Sequence, residues 1–218
     1  MSEIAAPLSA AELAELPVFP LLNVVLFPGA SIALHLFEPR YRAMMEHCLA
    51  HGPRAMAIVL LKPGSAPEGD QLPPIHSVAG VGRIAAHRKN PDATFDLLLE
   101  AVARVRLTEL PYVPPFRRAR CEVIPDQLGD RALALEITRK VLAGLPPIEL
   151  HSHRPIPLPQ LDGDPGAVAD LLLDRLLPTP ARKQELLETP DVLVRLLTVA
   201  HELHVTVPGS RGMGRLSN

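Results

Sequence analysis

Histidines and cysteines are the residues whose types and spacing first suggest chemistry, and the chain has nine of the former and two of the latter. His47 and His51 stand four residues apart, a spacing that places two imidazoles on one helix face and can bind zinc. The neighbouring Cys48 points away from that pair, and a closed zinc site requires four ligands. Cys48 and Cys121 are too few for a disulfide framework and have the character of buried small hydrophobes. We therefore expect neither a metal site nor a catalytic thiol.

The sequence lacks the motifs of phosphate-loop ATPases and of elbow-type serine hydrolases. An ATPase phosphate-binding loop has the form G-x-x-x-x-G-K-[ST], and none of Lys62, Lys89, Lys140 or Lys183 follows such a loop. A Ser-His-Asp hydrolase of the elbow type requires G-x-S-x-G, which is also missing. We therefore expect no catalysis and no cofactor.

Basic residues recur along the strand-like segments and raise the alternative of RNA binding. They are Arg83, Arg88, Lys89, Arg104, Arg106, Arg118 and Arg120. Acidic residues are interleaved with them, and the net charge of the chain is -2. Base stacking requires aromatic side chains, but the chain has five Phe, two Tyr and no Trp. RNA binding through these residues therefore stays the second hypothesis.

Apolar side chains in proline-bounded segments are the stronger candidates for binding. A polypeptide-binding surface requires exposed apolar area or an open strand edge, and prolines lower the cost of ordering it. The candidates, from the segment between two prolines near residue 24 and from PYVPPF, are Leu22, Val24, Phe27, Tyr112, Val113 and Phe116. The alternative is that these side chains close the interior of the fold, and both interpretations stay open from sequence alone.

Periodicity assigns secondary structure to the first part of the chain. A capping box of Ser9 and Glu12 predicts a short helix over about residues 10–15. Alternation over 32–37 predicts a half-buried strand, and Pro39 begins an amphipathic helix. The apolar run 55–61 predicts a strand covered on both faces. Two long strands flank the turn Asn-Pro-Asp, and RRARCEVIP predicts a last strand.

The sequence pattern is typical of helices after residue 126. RALALEITRKVLAG predicts a helix that Gly144 can end. An N-cap residue followed by proline predicts three more helices, at Asp164-Pro165, Thr179-Pro180 and Thr189-Pro190. Strands followed by helices indicate an α+β fold, and closing five or six short strands into a barrel removes exposed edges. We divide the chain into a β-rich part, 1–126, a helical part, 127–207, and a tail, 208–218, expected to be disordered.

The composition is that of a folded protein with one or two domains. Of 218 residues, 47% are hydrophobic and 21% are charged, which argues against disorder. No apolar run approaches the ~18 residues that span a bilayer, and the N-terminal residues lack the pattern of a secretory signal. We therefore expect a cytoplasmic location and no membrane partner.

One long segment resembles a known family. LPVFPLLNVVLFPGASIALHLFEPRYRAMMEHCL is similar to the opening of the N-terminal domain of the ATP-dependent protease Lon, in its LPLFPLxxVVLFPG-type strand and its HxFEPRY helix start at 35–41. The resemblance continues through 81–84, 100–107 and the KQELLE core at 183–188, and covers about 16–203. Within it, we expect Glu38, Pro39, Arg40 and Tyr41 to have a structural role at a strand-to-helix corner.

The resemblance implies both a fold and a function. The implied fold is a pseudo-β-barrel related to pseudouridine synthase and archaeosine transglycosylase (PUA-like) folds, with five or six strands plus a helix, followed by a C-terminal helical bundle. The implied function is recognition of unfolded or degron-bearing polypeptides before ATP-driven translocation. The ATPase and Ser-Lys peptidase parts have no match in this sequence, so we expect a stand-alone recognition or adaptor module. A separate ATP-dependent protease is then a candidate partner.

Overall fold

The computed structural model describes residues 7–50, 52–64, 72–145 and 163–207, so the predicted tail 208–218 lies outside the described residues. The helices are α1 (Ala10–Ala14), α2 (Pro39–Ala50), α3 (Arg131–Ala143), α4 (Pro165–Leu176), α5 (Pro180–Leu187) and α6 (Val192–Glu202). The strands are β1 (Leu16–Leu21), β2 (Ser31–Leu36), β3 (Ala55–Leu60), β4 (Val78–Lys89), β5 (Phe95–Glu109) and β6 (Arg117–Val123). None of the described helices is long and apolar enough to cross a bilayer.

The six strands form one sheet in the order β2-β5-β4-β3-β1-β6, and β5 also pairs with β6. The first residues of β5 pair with β2 and its last residues pair with β6, while β4 lies along nearly all of it. Strands β5, β4, β3, β1 and β6 therefore close into a ring, and β2 is attached to its outside. The predicted α+β class is confirmed.

Apolar side chains from alternate positions fill the inside of this ring, as the two-residue period of a strand requires. The buried members are Leu16, Val18, Ala55, Ala57, Val59, Ile75, Ala79, Val81, Val105, Leu107, Ala119 and Cys121. All six residues of β3 are buried, so the prediction of a strand covered on both faces is confirmed. Helix α2 buries Tyr41, Met44, Met45 and Cys48 from its predicted apolar stripe.

Gly80 of β4 allows the segment after β1 to cross the sheet in direct contact with it. A Cβ atom on Gly80 would lie 1.9 Å from the carbonyl oxygen of Leu26. Leu26 and its neighbours Val25 and Phe27 are buried there. Because the obstructing atom belongs to the backbone, the contact can be relieved only by moving the crossing segment.

We predict that Gly80→Ala lowers the free energy of unfolding by about 1–3 kcal/mol, because it overpacks a contact between two backbones. Urea denaturation followed by far-ultraviolet circular dichroism measures the change. Gly163→Ala is the control, since a Cβ atom there meets no atom of the described residues within 4 Å. Equal stability of the two variants would contradict the close approach of Leu26 to the sheet.

The chain divides into two compact units, one of Met1–Ile124 with Thr179–Glu188 and the other of Pro125–Pro178 with Thr189–Asn218. Helix α5 therefore belongs with the strands, which differs from the predicted helical part, 127–207. Two hydrogen bonds explain this: Gln184 Nε2 donates to the Val78 carbonyl at 2.9 Å, and Arg104 Nη1 donates to the Leu187 carbonyl at 3.0 Å. The division into domains at 1–126 and 127–207 stays a prediction.

Helix α6 begins later than the sequence predicted. Asp164 and Thr179 cap α4 and α5 as expected, but the N-cap of α6 is Asp191, whose carboxylate accepts from the N–H groups of Leu193 and Val194. The Pro190 carbonyl accepts a hydrogen bond from the Gln127 N–H, which holds the residue before the cap in an extended segment. The predicted start at Thr189-Pro190 was therefore wrong.

A fully buried ion pair lies at the centre of the second unit, where α3, α4 and α6 pack together. Arg195 of α6 is 0% exposed, and its guanidinium contacts the carboxylates of Asp170 on α4 and Asp126. Asp170 is 2% exposed, so both charges of this pair lie out of water and compensate each other. The sequence offered no signal for this pair, because charged residues on helices usually face solvent.

We predict that Arg195→Ala lowers the free energy of unfolding by about 3–5 kcal/mol, because it removes the guanidinium that compensates the buried carboxylate of Asp170. Urea denaturation measures the change, with Lys140→Ala as the control because its ion pair with Glu136 is half exposed. The double variant Asp170→Leu/Arg195→Met should recover most of the lost stability. A small effect of Arg195→Ala alone would show that the buried pair does not stabilise this unit.

Candidate functional site

A cavity of about 380 Å³ opens where β1 leaves the ring of strands, and we call it the β1 pocket. Its walls are the second half of β1, the end of β2, the first turn of α2, and parts of the 111–117 segment. The pocket exists because β1 pairs with β3 as far as Leu21 but with β6 only as far as Val18. Beyond Val18, β6 has not yet begun, and the proline-rich segment before it diverges.

The β1 pocket collects exposed apolar side chains. Among the described residues, the exposed large hydrophobics are Leu22, Phe37, Tyr112, Val113, Val123 and Val194. Leu22, Phe37 and Tyr112 line the pocket, with 72%, 65% and 47% of their surfaces exposed. Half of the exposed large hydrophobics thus converge on one concavity, although the sequence separates them by up to 90 residues. Such a rimmed apolar patch is typical of a binding surface.

The residues predicted to bind polypeptide have different positions. Leu22, Tyr112 and Phe116 line the β1 pocket, and Val113 is exposed beside Tyr112 without lining it. Val24 is half-buried outside the pocket.

Phe27 requires a correction, because its side chain is fully buried in the core and so is withdrawn from the candidate surface. Phe37, which lies just after β2, was not among the residues predicted from the sequence. The signal that could have found it is its position: Phe37 is apolar but has a solvent-facing position in the alternation over 32–37.

The FEPRY corner forms one wall of the β1 pocket. Pro39 is the first residue of α2, and Arg40 Nε donates a hydrogen bond to Glu38 Oε2 at 2.9 Å. The Arg40 guanidinium lies 4.5 Å from the centre of the Tyr41 ring, and that ring lies 4.2 Å from the ring of Phe19. Burial raises the pKa of the Tyr41 hydroxyl, which therefore stays protonated. The corner thus contributes aromatic rings to the wall of the pocket, and the charges of Glu38 and Arg40 neutralise each other there.

Most of the basic residues that suggested RNA binding already have partners within the protein. Arg104 is 2% exposed. Four others form ion pairs: Arg83 with Glu12, Arg88 with Asp96, Lys89 with Glu46, and Arg118 with Glu15. Hydrogen bonds from His35, Arg88 and Asn90 hold the pKa of the Asp96 carboxyl well below its usual range.

Metal ligands and reactive thiols are not grouped in the part of the chain that the structure describes. No group of three or more His, Cys, Asp or Glu side chains there could hold a metal ion. His51, the partner that spacing assigned to His47, lies outside the described residues. Cys48 and Cys121 are buried, and burial raises the pKa of both thiols to about 12.

We predict that neither cysteine reacts with a thiol reagent such as dithionitrobenzoate at neutral pH in the folded protein, because both are buried and protonated. Both should react once a denaturant unfolds the chain. The absorbance of the released thiolate, measured with and without guanidinium chloride, tests this. Rapid labelling of the folded protein would contradict the burial of these side chains.

Comparison with known proteins places this arrangement in a family. The model of the ATP-dependent protease La (LON) substrate-binding domain matches residues 15–205. Lon protease 1 of Thermus thermophilus is 30% identical over 196 residues, and the Lon protease of Desulfovibrio desulfuricans is 26% identical over 208 residues. These alignments cover 85% and 93% of this chain. The chain spans about a quarter of the length of these relatives, at 24% and 23%.

Two solved structures share the fold. The Lon N-terminal domain protein from Xanthomonas campestris has a TM-score of 0.59 at 22% identity, covering 86% of this chain and 98% of that one. The N-terminal domain of a Mycobacterium avium complex Lon protease has a TM-score of 0.63 at 19% identity, covering 87% and 98%. The similarity inferred from the FEPRY segment is therefore confirmed, and the chain belongs to the family of Lon substrate-binding domains.

Proposed function

We propose that this chain is a non-catalytic recognition module that binds apolar segments of unfolded polypeptides in the β1 pocket. The observation that carries the proposal is the convergence of Leu22, Phe37 and Tyr112 on one cavity while about half or more of the surface of each remains in water. Covering exposed apolar surface of this kind is favourable, since each Å² removed from water contributes about 25 cal/mol to the free energy of binding. A bound segment can supply that cover.

Unfolded polypeptide is the class of ligand that suits these walls. Folded proteins bury most of their large apolar side chains, whereas unfolded and damaged chains expose them. The walls contributed by Pro20, Pro73 and Pro115 restrict the backbone, so little conformational freedom is lost on binding. The pocket therefore selects a ligand by its exposed apolar side chains more than by its sequence.

Family membership supports the same function and indicates where the bound segment goes. The matched family is described as a substrate-binding domain of an ATP-dependent protease, and the curated relatives are Lon proteases. We infer that bound polypeptides are passed to such a protease in the cytoplasm. We also infer that the closed ring of strands is a PUA-like pseudo-barrel and that α3, α4 and α6 are the helical bundle that follows it.

Binding of RNA remains the second hypothesis, with little in its favour. Counterion release drives RNA affinity and requires unpaired basic side chains on one face. Arg104 is buried and four of the other basic candidates have carboxylate partners. Arg106 and Arg120 are exposed, but two residues make a small footprint.

We predict that Tyr112→Ala and Leu22→Asp each weaken the binding of an unfolded polypeptide about tenfold, because each removes apolar contact from the lining of the pocket. Fluorescence anisotropy of labelled, reduced and carboxymethylated lactalbumin measures the affinity. Val123→Ala is the control, because Val123 is as exposed as Tyr112, at 47%, but does not line the pocket.

The same assay separates the two hypotheses when it is repeated at two salt concentrations with single-stranded RNA as competitor. Polypeptide binding that survives the higher salt and is unaffected by RNA supports the proposal. Equal affinities of the Tyr112, Leu22 and Val123 variants would move the binding surface elsewhere. Salt-sensitive RNA binding without polypeptide binding would replace the proposal with the second hypothesis.

A further inference from the structure

Arg117 is a buried cation in the wall of the β1 pocket. It is the first residue of β6, its backbone pairs with Val18 of β1, and its side chain is 6% exposed. It has the same inward phase along β6 as Ala119 and Cys121, which belong to the core of the ring. The guanidinium therefore lies where the apolar interior meets the cavity.

Hydrogen bonding leaves one nitrogen of Arg117 unsatisfied. Nη2 donates to the Pro73 carbonyl at 2.5 Å. Nη1 is buried and has no hydrogen-bond partner among the described residues, and the Glu109 carboxylate lies 3.7 Å away. That separation gives charge compensation without a hydrogen bond. A buried donor without an acceptor is costly, and such donors in native proteins usually have a specific explanation.

We infer, building on the proposed function, that the β1 pocket takes an apolar side chain together with an oxygen acceptor from the same polypeptide segment, and that the buried guanidinium of Arg117 turns toward the cavity so that this oxygen accepts a hydrogen bond from Nη1. The acceptor is a main-chain carbonyl or a carboxylate, which offer the same chemistry to a guanidinium. Binding then removes the unsatisfied donor while it covers the exposed apolar rim. A segment without a suitably placed oxygen covers the apolar rim but leaves the Nη1 donor unsatisfied.

Other charges around the cavity do not compete for this role. Glu38 and Arg40 are paired with each other, and His35 Nδ1 lies 2.7 Å from the Asp96 carboxylate. Among the described residues, Arg117 is thus the cation lining the pocket whose guanidinium carries a buried, unsatisfied donor.

Pairing of a ligand strand with β1 is a weaker alternative to a side-chain contact. The part of β1 beyond Val18 has an open edge, but Pro20 lies in it and has no N–H group to donate. An added strand would therefore lack a ladder hydrogen bond at the middle of this short edge. Recognition through a pocket and one guanidinium does not depend on that donor.

The test compares Arg117→Met with wild type, using a fluorescein-labelled hexapeptide, Gly-Ser-Leu-Phe-Ser-Leu, in anisotropy. Loss of a charge-assisted hydrogen bond in a buried site should weaken binding by about tenfold or more. Arg120→Met is the matched control, because it removes an exposed arginine of the same strand that does not line the pocket. Wild-type affinity in Arg117→Met would overturn the inference.

Two forms of the peptide, with a free C-terminal carboxylate and with a C-terminal amide, identify the source of the oxygen. Tighter binding of the free acid assigns the acceptor to the carboxylate. Equal binding of both forms, each weakened by Arg117→Met, assigns it to a main-chain carbonyl. A thioamide scan along the peptide gives a readout on the wild-type protein, so the test stands even if Arg117→Met fails to fold. Insensitivity to the thioamide scan and to the terminal group would overturn the inference.

Failure of this inference is distinguishable from failure of the proposed function. Binding that Tyr112→Ala weakens but that neither Arg117→Met nor the acceptor changes affect would retain the proposed function and reject the role of Arg117. Failure of wild type to bind either the peptide or unfolded lactalbumin would reject both.

Discussion

Strand β5 has fifteen residues, and its pairing with three neighbours determines where the other strands can end. Its first six residues pair with β2 and its last five with β6, while β4 lies along its other edge. Strand β6 pairs with β1 at one end of the strand order and also with β5. The sheet therefore curls into a closed ring. The meeting extends only over Leu16–Val18, and the cavity opens beyond it. The site is thus a consequence of how the ring closes.

Closure also explains why apolar side chains remain in water around that cavity. The interior of the ring is filled by small and branched residues, and Leu26 already occupies the groove above Gly80. Leu22 follows β1 and Tyr112 precedes β6, so both lie in segments at the open corner of the ring, outside its filled interior. Under the proposed function, a bound apolar segment offsets the cost of their exposure.

Local signals in the sequence predicted most elements, and the errors come from long-range contacts. The helix beginning at Pro39 and the capping box at Ser9 depend on residues within one turn, so their prediction was reliable. The start of α6 was misplaced because Pro190 bonds to a residue more than sixty positions away. Helix α5, which the sequence grouped with the helical part, lies in the same compact unit as the strands because of such contacts. Phe27 was a plausible surface residue until the crossing of β4 buried it.

By itself, the sequence determined the family and the order of strands and helices, because each depends on residue types at short spacing. Only the tertiary structure decided which apolar residues share a surface, because Leu22, Phe37 and Tyr112 meet through the closure of the ring. It also decided which charges are buried, placing Arg195 in an ion pair and Arg117 against an open cavity. Burial depends on the summed contacts of several distant strands and helices, and no local pattern of amino acids encodes that sum.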